Sequence, residues 1–167
     1  VDELGLRHGE SRADIAVVNG HLLGIEIKSD ADTLGRLDGQ VDSYSAVFDR
    51  AVLVTTARHS DHALESIPDW WGVVEACQGS RGAVRFHTLR RSRSNPDVDS
   101  YAVAQLLWRD EAVRLLEALG VPPRVLRQRR SVLYQELVAR LGRRELRMQV
   151  REALKSRSSW RESERSW

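Results

Sequence analysis

Asp14, Glu26 and Lys28 are charges set inside two short apolar runs, Ser11 to Val18 and His21 to Lys28. A charge inside a buried strand is costly unless something pairs it or uses it. Two acids and a lysine spaced Asp…Glu-x-Lys suit metal-assisted hydrolysis of a phosphodiester. A hard cation such as Mg²⁺ (or Mn²⁺) takes oxygen ligands and keeps several waters, so one or two carboxylates and a backbone carbonyl suffice to hold it. Asp14, Glu26 and the Ile27 carbonyl make that set. Lys28 would orient the attacking water and offset charge gathering on the phosphoryl oxygens.

Strand residues two apart share a face, so Glu26 and Lys28 project together. Whether Asp14 joins them depends on the turn. A two-residue turn at Asn19-Gly20 pairs Val18 with His21 and mixes charges with apolar residues on both faces. A three-residue turn, Val18-Asn19-Gly20 with Gly20 left-handed, pairs Val17 with His21, Ile15 with Leu23 and Asp14 with Gly24. It gathers Ile15, Val17, Leu23, Ile25 and Ile27 on a fold-forming face, and Asp14, Ala16, Gly24, Glu26 and Lys28 on the other. A one-residue slip would scramble these faces, so this register is predicted. It sets Asp14 diagonally across from Glu26, about 7–8 Å away. A solvent-exposed Glu/Lys pair on an edge strand is the plainer alternative.

The elements that must position these residues follow from periodicity. Residues 11–18 and 21–28 read as strands. Residues 33–48 read as a helix with Thr33 as N-cap and Leu34, Leu37, Val41, Tyr44 and Phe48 at three- and four-residue steps. The apolar run Ala51 to Thr55 predicts a strand covered on both faces. Residues 61–66 predict a short helix closed by Pro68, and 71–76 and 83–89 a strand pair around Gly79-Ser80-Arg81-Gly82. Asp2-Glu3-Leu4 reads as the end of a helix. After a polar connector from Arg90 to Pro96, helices are expected over 99–119, 124–141 and 143–157. The fold class is α/β: a mixed central sheet flanked by helices, with a helical C-terminal extension. The expected division is a core over 1–90, a basic helical extension over 97–157 packed on it, and a flexible tail over 158–167.

Composition supports this outline. With 41% hydrophobic and 30% charged residues in 167, the chain reads as one globular domain with an appendage. No apolar run approaches the ~20 residues of a membrane span, and no signal-peptide pattern opens the chain. A single cysteine, Cys77, forbids an internal disulfide and accords with a cytoplasmic protein. Charge is segregated: residues 1–89 hold 8 Lys+Arg against 14 Asp+Glu, and residues 90–167 hold 18 against 10. An acidic half suits a cation and a basic half suits a polyanion. Arg127, Arg129, Arg130, Arg143 and Arg144 lie among amphipathic helices and are expected to grip DNA phosphates. A solvated arginine-rich surface, or a dimerisation arm, is the alternative.

The residues themselves resemble the PD-(D/E)xK nuclease superfamily, with its restriction-endonuclease-like core. Asp14 matches the first acid and Glu26-Ile27-Lys28 the second half-motif; Ala13 stands where the proline of the name would be. Gln40-Val41-Asp42-Ser43-Tyr44 fits the Q-x-x-x-Y element of RecB-type exonucleases. Spacing i, i+4 puts Gln40 and Tyr44 on one helix face, near DNA or the metal ligands. The resemblance implies a metal-dependent deoxyribonuclease with catalytic Asp14, Glu26, Lys28 and Gln40, and DNA contacts from Tyr44 and Arg36. Many members carry a further acid on a helix before the first strand, for which Glu3 is the candidate and Glu10 the reserve. A group of small bacterial proteins with this core shares the Asn-Gly turn, the Glu-Ile-Lys-Ser run, the Asp32-Thr33-Leu34 helix start and Trp70-Trp71-Gly72. The likeness covers the first half of the chain. A non-catalytic nucleic-acid-binding module and a regulatory protein-interaction subunit are the other functions weighed.

Other clusters carry less. His59-Ser60-Asp61-His62 has too few ligands for zinc and is expected to face solvent. His8 and His21 fall near the site in sequence, and His87 is expected on a strand surface. Trp70 and Trp71 are assigned to the core rather than to base stacking.

Overall fold

The computed structural model describes residues 2–6, 11–79 and 82–157. They fall into two compact units divided after Val98. Glu10 and His8, Ser80 and Arg81 of the expected turn, and the tail over 158–167 lie outside the described residues.

The first unit is a six-stranded mixed sheet in sequential order, with helices from its two crossovers. β1 (Asp2–Leu6), β2 (Ser11–Asn19) and β3 (His21–Ile27) are antiparallel neighbours. α1 (Leu37–Val47) then leads to β4 (Arg50–Thr55), parallel to β3, and α2 (Ala57–Ser66) to β5 (Gly72–Gln78), parallel to β4. β6 (Val84–Arg90) closes the order antiparallel to β5. Parallel crossovers are right-handed, and two in succession moving the same way put both helices on one face. That face carries Ala16, Gly24, Glu26, Leu53 and Val73, all buried. The opposite face leaves Val17, Ile27, Val84 and Phe86 exposed. β4 is accordingly covered on one face, not on two: Ala51, Leu53 and Thr55 are buried while Val52 and Val54 are only half-buried.

The hairpin reverses one expectation and moves another. Observed pairs are Asn19 with His21, Val17 with Leu23 and Ile15 with Ile25. Gly20 alone, at φ 70°, takes the left-handed turn position. The register is two residues from the predicted one, which preserves every face because the strand period is two. The buried face, however, is the one bearing Glu26 and Lys28, while the isoleucine face is half-open. Size explains the choice. Ala16 and Gly24 leave a hollow that the rings of Tyr44 and Phe48 fill, and a Cβ on Gly24 would stand 2.6 Å from Phe48.

Three further expectations are corrected. Asp2-Glu3-Leu4 belongs to strand β1 rather than to a helix. The helix over 33–48 starts as a 3₁₀ turn over Leu34–Arg36, and the Thr33 side chain makes no capping bond. The short helix over 61–66 begins earlier, at Ala57, which carries His59 onto its sheet-facing stripe with Ala63. Trp71 is fully buried, as a core residue should be.

The second unit is helical. α3 (Ser100–Ala104), α4 (Arg109–Ala118), α5 (Pro123–Leu126), α6 (Arg130–Arg140) and α7 (Arg143–Ser156) replace the three longer helices expected. The break between α3 and α4 buries Leu106 and Leu107, and Glu111 accepts the Trp108 amide at 2.7 Å to start α4. Leu116, Leu133, Leu137, Leu146, Val150 and Leu154 form its core. Arg157 donates to Glu111 at 2.6 Å and lies over the Trp108 ring, tying the end of α7 to the start of α4. Among the described residues no helix is long and apolar enough to cross a membrane.

Candidate metal centre

Glu26 is the hub. It sits on β3 at 1% exposure, a position a carboxylate tolerates only when its oxygens are satisfied. Tyr44, one helix face away on α1, donates its hydroxyl to Oε2 at 2.6 Å. Gln40, one turn earlier, donates its amide to Oε1. Lys28, two residues along the strand and 4% exposed, places Nζ 2.9 Å from the same Oε1. The i, i+4 spacing of Gln40 and Tyr44 thus does what helix geometry predicts, presenting two donors to one acid.

Asp14 enters from β2. Continuing the observed register sets it level with Glu26 rather than with Gly24. Ala13 and Ala16 are both buried although three residues apart, so regular alternation breaks around Asp14. Its amide turns to the Tyr44 hydroxyl, 3.2 Å away, and its Oδ2 accepts the Ile27 amide at 2.7 Å. The Lys28 amide bonds Val54 on β4 at 2.8 Å. Peptide groups alternate along a strand, so the Ile27 N–H and carbonyl both face β2 and Asp14. Asp14, Glu26 and the Ile27 carbonyl are therefore neighbours.

This donor set fits a hard divalent cation: two carboxylates and a carbonyl, with no sulfur or imidazole. Two further oxygens, Gln40 Oε1 and Thr55 Oγ1, are buried and without a partner among the described residues; Gln40 belongs to the Glu26 cluster, and Thr55 follows Val54, whose carbonyl accepts the Lys28 amide. Thr55 escaped sequence reasoning because it closes an apolar run. Among the described residues, no three His, Cys, Asp or Glu side chains gather at one point.

Burial raises the Tyr44 pKa above the ordinary phenol range, and its bond to Glu26 raises it further. The hydroxyl stays protonated and remains a donor. The loop after Lys28 is pinned as well. Asp32 takes the Ser29 hydroxyl at 2.6 Å and the Ser29 amide at 2.8 Å, which lowers its pKa. Thr56 donates to Asp30, and Arg58 to the Asp30 carbonyl at 2.9 Å.

Several assigned residues stand elsewhere. Glu3 is exposed on β1 at φ 55°, and its carboxylate lies 3.7 Å from Arg12, so it is not a helix-borne acid of this site. Tyr44 is fully buried and cannot stack on DNA; it holds Glu26 instead. Arg36 is exposed at the end of the 3₁₀ turn. Arg127, Arg129, Arg143 and Arg144 are exposed and Arg130 half-buried, all in the helical unit. On α7 Arg144, Arg147, Arg151 and Lys155 recur at three- and four-residue steps beside the buried stripe of Leu146, Val150 and Leu154, with Arg144 and Lys155 exposed and Arg147 and Arg151 half-buried. His59 is buried, contrary to expectation, with Nε2 unpartnered among the described residues; His62 is exposed beside Ser66. His21 is exposed at the turn, and His87 on β6. Arg90, expected in a polar connector, instead donates to the carbonyls of Trp71, Leu64, Ile67 and Pro68.

The family described as Bacteriophage P4 protein cII matches residues 1–166. Protein cII of Enterobacteria phage P4 is 30% identical over 121 residues, 72% of this chain and 46% of that protein. The chain thus spans less than half the length of this curated relative. A solved structure, the SPO1766 protein of unknown function from Silicibacter pomeroyi, aligns over 71% of this chain and 77% of its own at 20% identity, with a TM-score of 0.43. With the match extending from residue 1 to residue 166, the chain belongs to the bacteriophage P4 protein cII family.

Proposed function

We propose that this chain is a metal-dependent DNA phosphodiesterase of the PD-(D/E)xK type. One observation carries the reading: Asp14, Lys28, Gln40 and Tyr44, from three different elements, all meet at or beside the buried Glu26.

Asp14, Glu26 and the Ile27 carbonyl would hold the cation, Mg²⁺ or Mn²⁺, which when bound polarises the phosphoryl oxygen and acidifies water. Tyr44 and Gln40 hold Glu26 in its rotamer, and the Asp14–Ile27 bond fixes the second acid. Lys28 orients the attacking water and balances the charge that builds on phosphorus oxygens. Water adds to phosphorus, one P–O ester bond breaks, and the departing oxygen takes up a proton. Exposed Arg127, Arg129, Arg143 and Arg144 would hold DNA phosphates nonspecifically, giving binding that weakens steeply with salt.

The burial and mutual pairing of Glu26 and Lys28 favour one other reading, a DNA-binding module in which the acid and lysine only stabilise the fold. A cleavage panel separates the two. Single-stranded, duplex, branched and RNA substrates are incubated with Mg²⁺ or Mn²⁺ and the wild type, Asp14→Ala or Lys28→Ala. The nuclease reading expects cleavage by the wild type alone. Binding without cleavage under every metal supports the module, and equal activity in all three proteins removes the site assignment.

A further inference from the structure

Glu26 Oε1 is shared. It accepts the Gln40 amide and lies 2.9 Å from Lys28 Nζ, while Oε2 is taken by Tyr44. A carboxylate offers about four acceptor positions, so three are filled by protein donors. Glu26 is 1% exposed and Lys28 is 4% exposed, so the pair meets away from water, and Oε1 already carries both Lys28 and Gln40. Resting on the metal-site reading above, we propose that Lys28 and a divalent cation are rival partners for Glu26 Oε1, so that Lys28 sets the cation affinity.

Lys28 is the donor that gives way. Gln40 and Tyr44 are neutral and pose no charge conflict with a cation on Glu26. The ammonium is a like charge at contact distance, and like charges repel strongly where water is excluded. Its four-carbon stem is flexible, unlike the aromatic ring of Tyr44, which is wedged between Phe48 and Trp71 with ring centroids 4.9 and 5.3 Å away. The Lys28 backbone is held in place, because its amide is tied to Val54 and the next residue, Ser29, to Asp32. Exchange is therefore a swing of one side chain. The consequence is an ordering device: the ammonium is released toward water and phosphate only when a cation has replaced it at Glu26. Affinity for the cation is correspondingly lower than the two carboxylates alone would give.

Two measurements on the full chain test this without reference to turnover. Mn²⁺ is titrated calorimetrically into the wild type, Lys28→Met and Glu26→Gln. Lys28→Met is expected to bind at least tenfold more tightly than the wild type, and Glu26→Gln to lose binding. The second measurement uses the wild type only, so it stands even if Lys28→Met fails to fold. The sequence holds two lysines, Lys28 and Lys155, so lysine-selective labelling gives two ammonium signals. Saturating Mg²⁺ should move the Lys28 signal and leave Lys155, which pairs with Glu152 on the exposed side of α7, in place. Equal or weaker Mn²⁺ binding by folded Lys28→Met, or a Lys28 signal unmoved by bound Mg²⁺, overturns the rivalry and leaves the metal site standing. Absence of cation binding in both wild type and Lys28→Met overturns the metal site and the rivalry together.

Discussion

Tyr44 donates its hydroxyl proton to Glu26 Oε2 at 2.6 Å from a position with no solvent exposure, and the Tyr44 hydroxyl oxygen in turn accepts the Asp14 amide at 3.2 Å. One aromatic side chain thereby fixes both acids of the site. Removing only that oxygen, in Tyr44→Phe, takes a donor from a buried carboxylate and an acceptor from a buried amide. Hydrogen bonds to charged groups contribute about 1.5–3 kcal/mol, so urea unfolding should show a loss in that range with an unchanged m-value. A stability equal to the wild type would mean that Tyr44 is only a packing residue.

The hairpin face that bears the charges is closed by small residues. A Cβ at Gly24 would lie 2.6 Å from two atoms of the Phe48 ring and 2.8 Å from Tyr44. Gly24→Ala should cost about 1–3 kcal/mol through overpacking, read as a lower melting temperature. It should also weaken cation binding, because the Tyr44 ring, which must move along with Phe48, holds Glu26. A melt unchanged from the wild type would show that the rings shift freely.

Stability at alkaline pH follows from two phenols. Tyr44 has its pKa raised by burial and then by Glu26; Tyr134, which donates to the Leu107 carbonyl at 2.9 Å, has its pKa raised mainly by burial. A raised folded pKa gives stability that is complete below the unfolded value of 10.0 and falls as pH rises above it. Unfolding should therefore become easier beyond pH 10, with tyrosinate absorbance appearing together with the loss of structure. Absorbance from all the tyrosines of the folded chain ahead of unfolding would contradict this.

The helical unit has its own test. Arg157 and Glu111 form a nearly buried ion pair, and Arg157 also donates to the Leu106 carbonyl at 2.7 Å. Breaking a buried pair from one side costs about 3–5 kcal/mol because the other charge is stranded. Arg157→Ala should lower the melting temperature clearly and leave cation binding intact. A silent substitution would place this pair among those that solvent screens.

Which residues share a strand face was more legible in the sequence than which face is covered. Alternation separated Glu26 and Lys28 from the isoleucines, and a two-residue shift of register could not undo that. Which face is covered was not legible, because isoleucines outweigh alanine and glycine in any hydrophobicity reading. The cover is decided by the handedness of two crossovers and by the hollow at Ala16 and Gly24, which only Tyr44 and Phe48 reveal. Glu3 was misplaced because five residues with a glycine, Asp2 to Leu6, show no clear period. His59 was judged from its polar neighbours, whereas its burial depends on α2 starting at Ala57. Gln40 and Tyr44 were singled out by the resemblance to the Q-x-x-x-Y element and set on one helix face by their spacing, but the burial that makes Tyr44 a brace for Glu26 rather than a DNA contact comes from the sheet beneath it.

The most direct test of the central claim is single-turnover cleavage of end-labelled DNA in Mg²⁺ or Mn²⁺ by the wild type and Asp14→Ala, with both shown to be folded. Metal-dependent strand scission by the wild type, reduced at least a hundredfold in Asp14→Ala, is the predicted result. Scission at equal rates in both, or none by a wild type that binds the cation and the DNA, would contradict it.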